Sequence, residues 1–210
     1  MDLTNPLRTL SPTVDGDVLA VLARTHAPLT GARVQRLAGR SYAQVRHALH
    51  RLTDHGLVDS QRHGQAVSYS LNRQHVLAGV VEAAVASDSE AEQRLRAVLQ
   101  EWPIPALAAI LFGSFARRDG DSESDIDLLL VRGEHVTEDD GAWATQRYDL
   151  TAQLERWTGN TVQIVDLDQA EFRAAVSRGD DLISSLRRDG RVVAGPGLSV
   201  LLRPDEGGEA

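Results

Sequence analysis

The sequence predicts an α+β protein of two domains. Three observations point there. The first 72 residues read as helix, helix, turn, helix and then a two-stranded hairpin. A separate apolar run of strand length, Ala106 to Phe112, opens a second set of alternating strands and helices. The charge also divides. Residues 1–75 carry nine Arg, five Asp and no Glu, for +4, while residues 76–210 carry −12. A basic first third on an acidic remainder marks nucleic acid as a candidate partner for the first part.

Composition excludes several chemistries. With 210 residues, the chain allows one large or two small domains. It has no Cys, which rules out disulfides, Cys-ligated zinc, iron–sulfur clusters and a cysteine nucleophile. It has no Lys either, so every fixed side-chain positive charge is a guanidinium. No apolar run approaches the ~20 residues that span a bilayer. No basic stretch followed by an apolar one opens the chain as in a signal peptide. The expected protein is cytoplasmic and does not engage a membrane.

In the first domain, placed at 1–75, Asp15 and Asp17 stand at the start of a short helix through Ala23. Pro28 breaks the chain, and Thr30 is a plausible N-cap for a second helix, Gly31 to Leu37. Ser41 can cap a third helix reaching Asp54. Val45, Ala48, Leu49 and Leu52 share one side of it, with Arg46, His47, His50 and Arg51 toward the other. Gly56 ends it. Leu57 to Arg62 and Ala66 to Leu71 read as strands around His63-Gly64-Gln65, with Val67, Tyr69 and Leu71 alternating inward.

Residues 76–102 form a helical connector of two helices, Val76 to Val85 and Glu90 to Glu101, with the domain boundary near residue 86. Trp102-Pro103 ends the second helix. The second domain, 103–202, begins with the apolar strand, and Gly113-Ser114 follows it at once. Asp125 and Asp127 are two apart, so on a strand their carboxylates share one face and Ile126, Leu128 and Leu130 the other. Paired carboxylates repel unless a cation joins them, and oxygen-only ligands favour Mg²⁺ completed by water and phosphate oxygens. Gly113 lets the backbone approach a phosphate, and Ser114 can donate to it. Beyond lie a helix from Asp140 to Trp157, a strand from Thr161 to Leu167, helices Gln169 to Val176 and Asp181 to Arg188, and the run Arg191 to Gly195. Residues 203–210 read as a disordered tail.

Two resemblances add to this. Leu29 to Ala38, Ser41 to Leu52 and His55-Gly56-Leu57-Val58 resemble the second helix, recognition helix and wing entry of the winged helix-turn-helix family, over Asp15 to Asn72. That resemblance implies binding to double-stranded DNA, with Arg46, His47 and His50 facing bases or phosphates. Arg33, Arg36, Arg40 and Arg51 would position the domain on the backbone, near the Ser41 helix start, with Arg62 and His63 at the wing tip. It also implies a homodimer. The alternative is a winged helix used for contacts with a protein partner. Gly113, Ser114, Ala116, Arg117, Ser124, Asp125, Ile126 and Asp127 resemble the nucleotidyltransferase superfamily in its minimal form. The resemblance implies Mg²⁺ and a nucleoside triphosphate, ATP first, as cofactors. Asp125 and Asp127 would be catalytic and hold the metal, and Gly113, Ser114 and Arg117 would bind the nucleotide.

Two positions depart from that pattern. Arg118 stands where the family often has Gly. Gln163 occupies the place of the third carboxylate, in the run Val162-Gln163-Ile164-Val165, and an amide brings no negative charge and cannot act as a base. Asp166, three residues on, faces the opposite side of a regular strand and would need a bulge to turn inward. Two functions therefore stand side by side. One is a DNA-binding transcriptional regulator whose second domain binds Mg-nucleotide with weak or lost transfer. The other is an active transferase moving a nucleoside monophosphate onto a nucleic-acid, protein or small-molecule hydroxyl.

Overall fold

The computed structural model describes residues 1–2 and 4–203. The expected tail lies outside the described residues from 204 onward. The chain divides into two units. One holds Asp2 and residues 4–88, and the other Met1 and the chain from Ser89 on.

The first unit contains helices α1 (Val14–Ala23), α2 (Gly31–Ala38), α3 (Tyr42–Asp54) and α4 (Ala78–Val85), with strands β1 (Leu29–Thr30), β2 (Val58–His63) and β3 (Ala66–Leu71). The strands form an antiparallel sheet of order β1-β3-β2. The two-residue β1, which pairs Leu29 with Tyr69 and Thr30 with Ser68, is too short to leave a periodic signal in the sequence. The caps work as the residue types predict. The Thr30 hydroxyl accepts from the Arg33 amide, and Ser41 and Gln44 form a reciprocal capping box. Val45, Ala48, Leu49 and Leu52 of α3 bury against Val18, Leu19 and Leu22 of α1 and Val34 of α2. Leu71 is buried, while Val67 and Tyr69 are only partly so.

The segment 76–102 is shared between the units. Ala78 and Val81 of α4 lie in the core of the first, whereas Ala91, Leu95 and Leu99 of α5 (Ser87–Gln100) lie in a core of the second. Val76 and Val80, apolar residues of the expected first connector helix, are exposed. Helix α5 starts at Ser87, so the join to α4 is the single residue Ala86.

The second unit is built on a four-stranded mixed sheet of order β6-β5-β4-β7, with β4 (Ala108–Phe112), β5 (Ile126–Arg132), β6 (Val162–Asp168) and β7 (Arg191–Ala194). Strands β5 and β6 are parallel, and the other pairs are antiparallel. Helix α6 (Gly113–Arg117) follows β4, α7 (Gly141–Thr158) joins β5 to β6, and α8 (Gln169–Arg178) and α9 (Asp181–Asp189) join β6 to β7. A short α10 (Leu198–Leu201) follows. Strand alternation sorts the side chains into two layers. Ala109, Leu111, Ile126, Leu128 and Leu130 pack against α5 and α7, including Trp143, Leu150 and Leu154. Ala108, Ile110, Leu129 and Val131 pack against Phe172 and Val176 of α8 and Ile183 and Leu186 of α9. Both faces of β5 are thus covered, which explains its unbroken apolar run after Asp127. Among the described residues no helix is long and apolar enough to cross a membrane.

Candidate functional site

The site forms where β4 and β5 end side by side. Their antiparallel register sets Phe112 opposite Asp127, so the Gly113-Ser114 turn and the acidic pair meet without any long loop. Gly113 has φ +68°, and a Cβ built there would lie 2.1 Å from Asp127 Oδ2. Glycine is therefore required twice, by the backbone conformation and by the carboxylate resting against its Cα. The Ser114 hydroxyl donates to the Asp125 carbonyl at 3.5 Å, tying α6 to the chain just before β5. Asp125 precedes the first residue of β5 and Asp127 is its second. Phe115 and Ala116 are buried, anchoring α6 below the turn.

The electrostatics follow. Burial first, then the neighbouring Asp125, pushes the Asp127 carboxyl above the usual carboxylate range. The Arg117 guanidinium opposes this, and Asp189 adds to it. The Asp125–Asp127 pair is thus a partly desolvated negative site whose ionised form gains from a cation. A divalent ion held by two carboxylates and completed by phosphate oxygens suits this donor set. Among the described residues no group of three or more His, Asp or Glu is placed to hold a metal ion.

Arg117 is held on two sides. Its Nε donates to Asp119 Oδ2 at 2.9 Å and its Nη1 to Asp189 Oδ2 at 2.5 Å. These hydrogen bonds, that to Asp119 first and then that to Asp189, raise the guanidinium's pKa further above its ordinary value. Arg118 adopts φ +59°, the left-handed conformation in which Gly is at ease and other residues are strained.

Gln163 pairs directly with Asp127 across the parallel β5–β6 ladder, on the same face of the sheet. An amide therefore lies beside Asp127 at the position where the resemblance expects a third carboxylate. No bulge interrupts β6, and Asp166 pairs with Leu130 on the α7 face. There its carboxylate, 4% exposed, accepts from Arg132 Nη1 at 2.8 Å, Arg147 Nη1 at 2.6 Å and Trp143 Nε1 at 2.9 Å. Asp166 is an internal anchor for α7 and does not face Asp127.

The structure also places Asp189 near this cluster, a residue that falls between the expected helix Asp181 to Arg188 and the run from Arg191. The available signal is an acid at the last position of a helix, where the dipole disfavours it.

In the first unit the expected nucleic-acid residues separate into two groups. Arg33, Arg36, Arg46, His47, Arg62 and His63 are exposed. The rest are engaged. Arg40 Nε donates to Asp17 Oδ2 at 2.6 Å, and Arg51 Nη2 to the Asp15 carboxylate at 2.6 Å. His50 Nδ1 lies 2.7 Å from Asp54 Oδ2, and Ser41 is occupied as the cap of α3. Asp15 and Asp17, read from the sequence as helix-start charges, thus offset two of the expected backbone-binding arginines. Asp17 is buried and also accepts from Arg8 and Asn5.

Residues 93–188 match the family model described as polymerase beta, nucleotidyltransferase. The second unit is accordingly nucleotidyltransferase-like. No curated protein matches the chain. Among solved structures, a toxin–antitoxin crystal structure with AMP-PNP is 18% identical, covers 53% of this chain and 80% of its own, and has a TM-score of 0.37. A tri-AMPylated Shewanella oneidensis HEPN toxin in complex with MNT antitoxin gives 19% identity, 52% and 73% coverage and a TM-score of 0.33. A Sulfolobus solfataricus protein described as a candidate nucleotidyltransferase gives 22%, 50% and 85%, with a TM-score of 0.27.

Proposed function

We propose that the protein is a DNA-binding transcriptional regulator, in which the first unit acts as a winged helix-turn-helix and the second binds a Mg²⁺-nucleoside triphosphate with weak or no transfer. The observation that carries the nucleotide part is Asp127 packed against Gly113 beside the neighbouring charge of Asp125, a partly buried acidic pair whose ionised form gains from a cation. Asp125 and Asp127 would hold Mg²⁺, which supplies charge neutralisation for the triphosphate. Gly113 brings the backbone close, and Ser114 and Arg117 offer donors to phosphate oxygens. Gln163 supports the assignment as sensor over enzyme. It lies beside Asp127 where the resemblance expects an acid, and an amide cannot take the proton of an attacking hydroxyl.

The DNA part is supported by the exposed α3 face with Arg46 and His47, by Arg36 on α2, and by Arg62 and His63 at the hairpin tip. ATP is the first candidate nucleotide, and the assembly on two-fold DNA sites would be a homodimer.

Two assays test this reading. Labelled ATP, GTP, CTP and UTP with Mg²⁺ are offered to wild type and to Gln163→Asp. Wild type is expected to retain nucleotide without transferring it. Transfer by wild type onto DNA, a protein or itself at least as fast as by Gln163→Asp would establish the enzyme instead. Fluorescence anisotropy with duplex DNA is expected to give an affinity that falls linearly with salt on logarithmic axes. No binding to any duplex at low salt would remove the regulatory reading.

A further inference from the structure

Asp189 is the last residue of α9 and its side chain is 4% exposed. A buried acid at a helix C-terminus is doubly unfavourable, because it is desolvated and faces the negative end of the dipole. One of its oxygens, Oδ1, is buried with no hydrogen-bond partner, which adds to the cost. The backbone nevertheless fixes it there. A Cβ at Gly190 would lie 2.5 Å from the Leu186 carbonyl oxygen, so this tight turn into β7 tolerates only glycine. What Asp189 gains in return is Arg117. Oδ2 accepts from Arg117 Nη1 at 2.5 Å, while Asp119 takes Nε on the other side. The exposed Arg188 Nε lies farther off, at 3.5 Å. Asp189 is also close enough to Asp127 for its charge to act on that carboxylate.

We infer that Asp189 is a positioning residue for nucleotide binding: by gripping Nη1 while Asp119 grips Nε, it locks the Arg117 guanidinium with Nη2 presented to the phosphates bound at Asp125 and Asp127. This rests on the reading of that cluster as a Mg-nucleotide site. The physical basis is preorganisation. An unrestrained arginine loses considerable rotamer freedom when it meets a phosphate, and a guanidinium already fixed in a fork loses less. Arg117 keeps both Nη2 protons and one Nη1 proton outside its two carboxylate bonds. The pairing joins two segments far apart in the chain, α6 and the end of α9. It thus couples the turn after β4 to the turn before β7, which flanks the same strand.

The test is a double-mutant cycle on the full chain, read as the Kd of ATP with Mg²⁺ by calorimetry. The variants are Arg117→Ala, Asp189→Asn and the two combined. Each single change is expected to weaken ATP about tenfold, and the combination no further than Arg117→Ala alone. Mn²⁺ binding without nucleotide, followed by electron paramagnetic resonance, is expected to fall less than ATP binding in Asp189→Asn, by about threefold at most from the lost nearby charge, because the ligands Asp125 and Asp127 are untouched. General damage to the site would lower both alike. Unchanged ATP affinity in Asp189→Asn, or losses that simply add, overturns the proposal while leaving the nucleotide site in place. If wild type binds no nucleotide, the site reading fails and this inference with it. Should Asp189→Asn not fold, Arg117→Lys reads the same grip, since an ammonium cannot span both carboxylates. It is expected to lose ATP affinity equally, and full retention would overturn the proposal.

Discussion

Asp127 carries the most informative chemistry at the scale of single residues. Its carboxyl sits above the ordinary value of 3.8 because it is partly buried, beside Asp125 and near Asp189. A carboxyl with a raised folded-state pKa destabilises the fold once it is ionised. The penalty is absent below the unfolded-state pKa and fully present above the folded one. Asp127→Asn is therefore expected to raise Tm at neutral pH in metal-free buffer. The gain should vanish as pH falls through the carboxylate range, and Mg²⁺ with ATP should reverse the order by stabilising only wild type. Thermal melts across pH check this; an equal gain at pH 3 and pH 7 would show that the carboxyl's charge is not the cause. The Asp-x-Asp pair was legible in the sequence because its spacing alone places both groups on one face. Asp189 was not, because its relation to Arg117 spans 72 positions along the chain and no periodicity records it.

At the scale of elements, the turn after β4 is the critical piece. Gly113→Ala must both strain a positive φ and push a methyl into Asp127 Oδ2. A loss of about 1–3 kcal/mol is expected, with Mg-nucleotide binding lost even where the variant remains folded. Denaturant unfolding with parallel calorimetry separates the two effects; normal nucleotide affinity in a folded Gly113→Ala would show that Asp127 need not lie against that glycine.

Helix α3 offers a second contrast. Arg46 is exposed, whereas Arg51 is bound to Asp15. Arg46→Ala is expected to weaken DNA about uniformly across sequences and to reduce the salt slope by about 1, and Arg51→Ala to change it less. Anisotropy over a salt series measures both, and equal slopes for the two variants would mean that the Asp15 pairing opens on DNA. Capped helices and the hairpin were readable from Thr30, Ser41 and the alternation around Gly64, since those signals are local. The offset of Arg40 and Arg51 by Asp17 and Asp15 was not, because the acids belong to α1 and meet those arginines only after the three helices pack.

Across the whole molecule, the two charge regimes of the sequence correspond to two differently built units. The first, rich in Arg, exposes basic groups on α2, α3 and the hairpin tip. The second collects acids around the end of the β4–β5 pair, and its residues match the nucleotidyltransferase family model. The fold class was legible because each unit has its own periodicities and its own apolar core. The division after Asp88 was blurred in the sequence by α4 and α5, two neighbouring helices that serve different cores.

We propose that Asp125, Asp127 and Gly113 form a metal-dependent nucleotide site. It is tested most directly by calorimetric titration of ATP into wild type and into Asp125→Ala/Asp127→Ala, with Mg²⁺ and with a chelator. Binding by wild type only with Mg²⁺, and none by the double variant under either condition, is expected. Mg²⁺-independent binding, or equal affinity in the double variant, would contradict it.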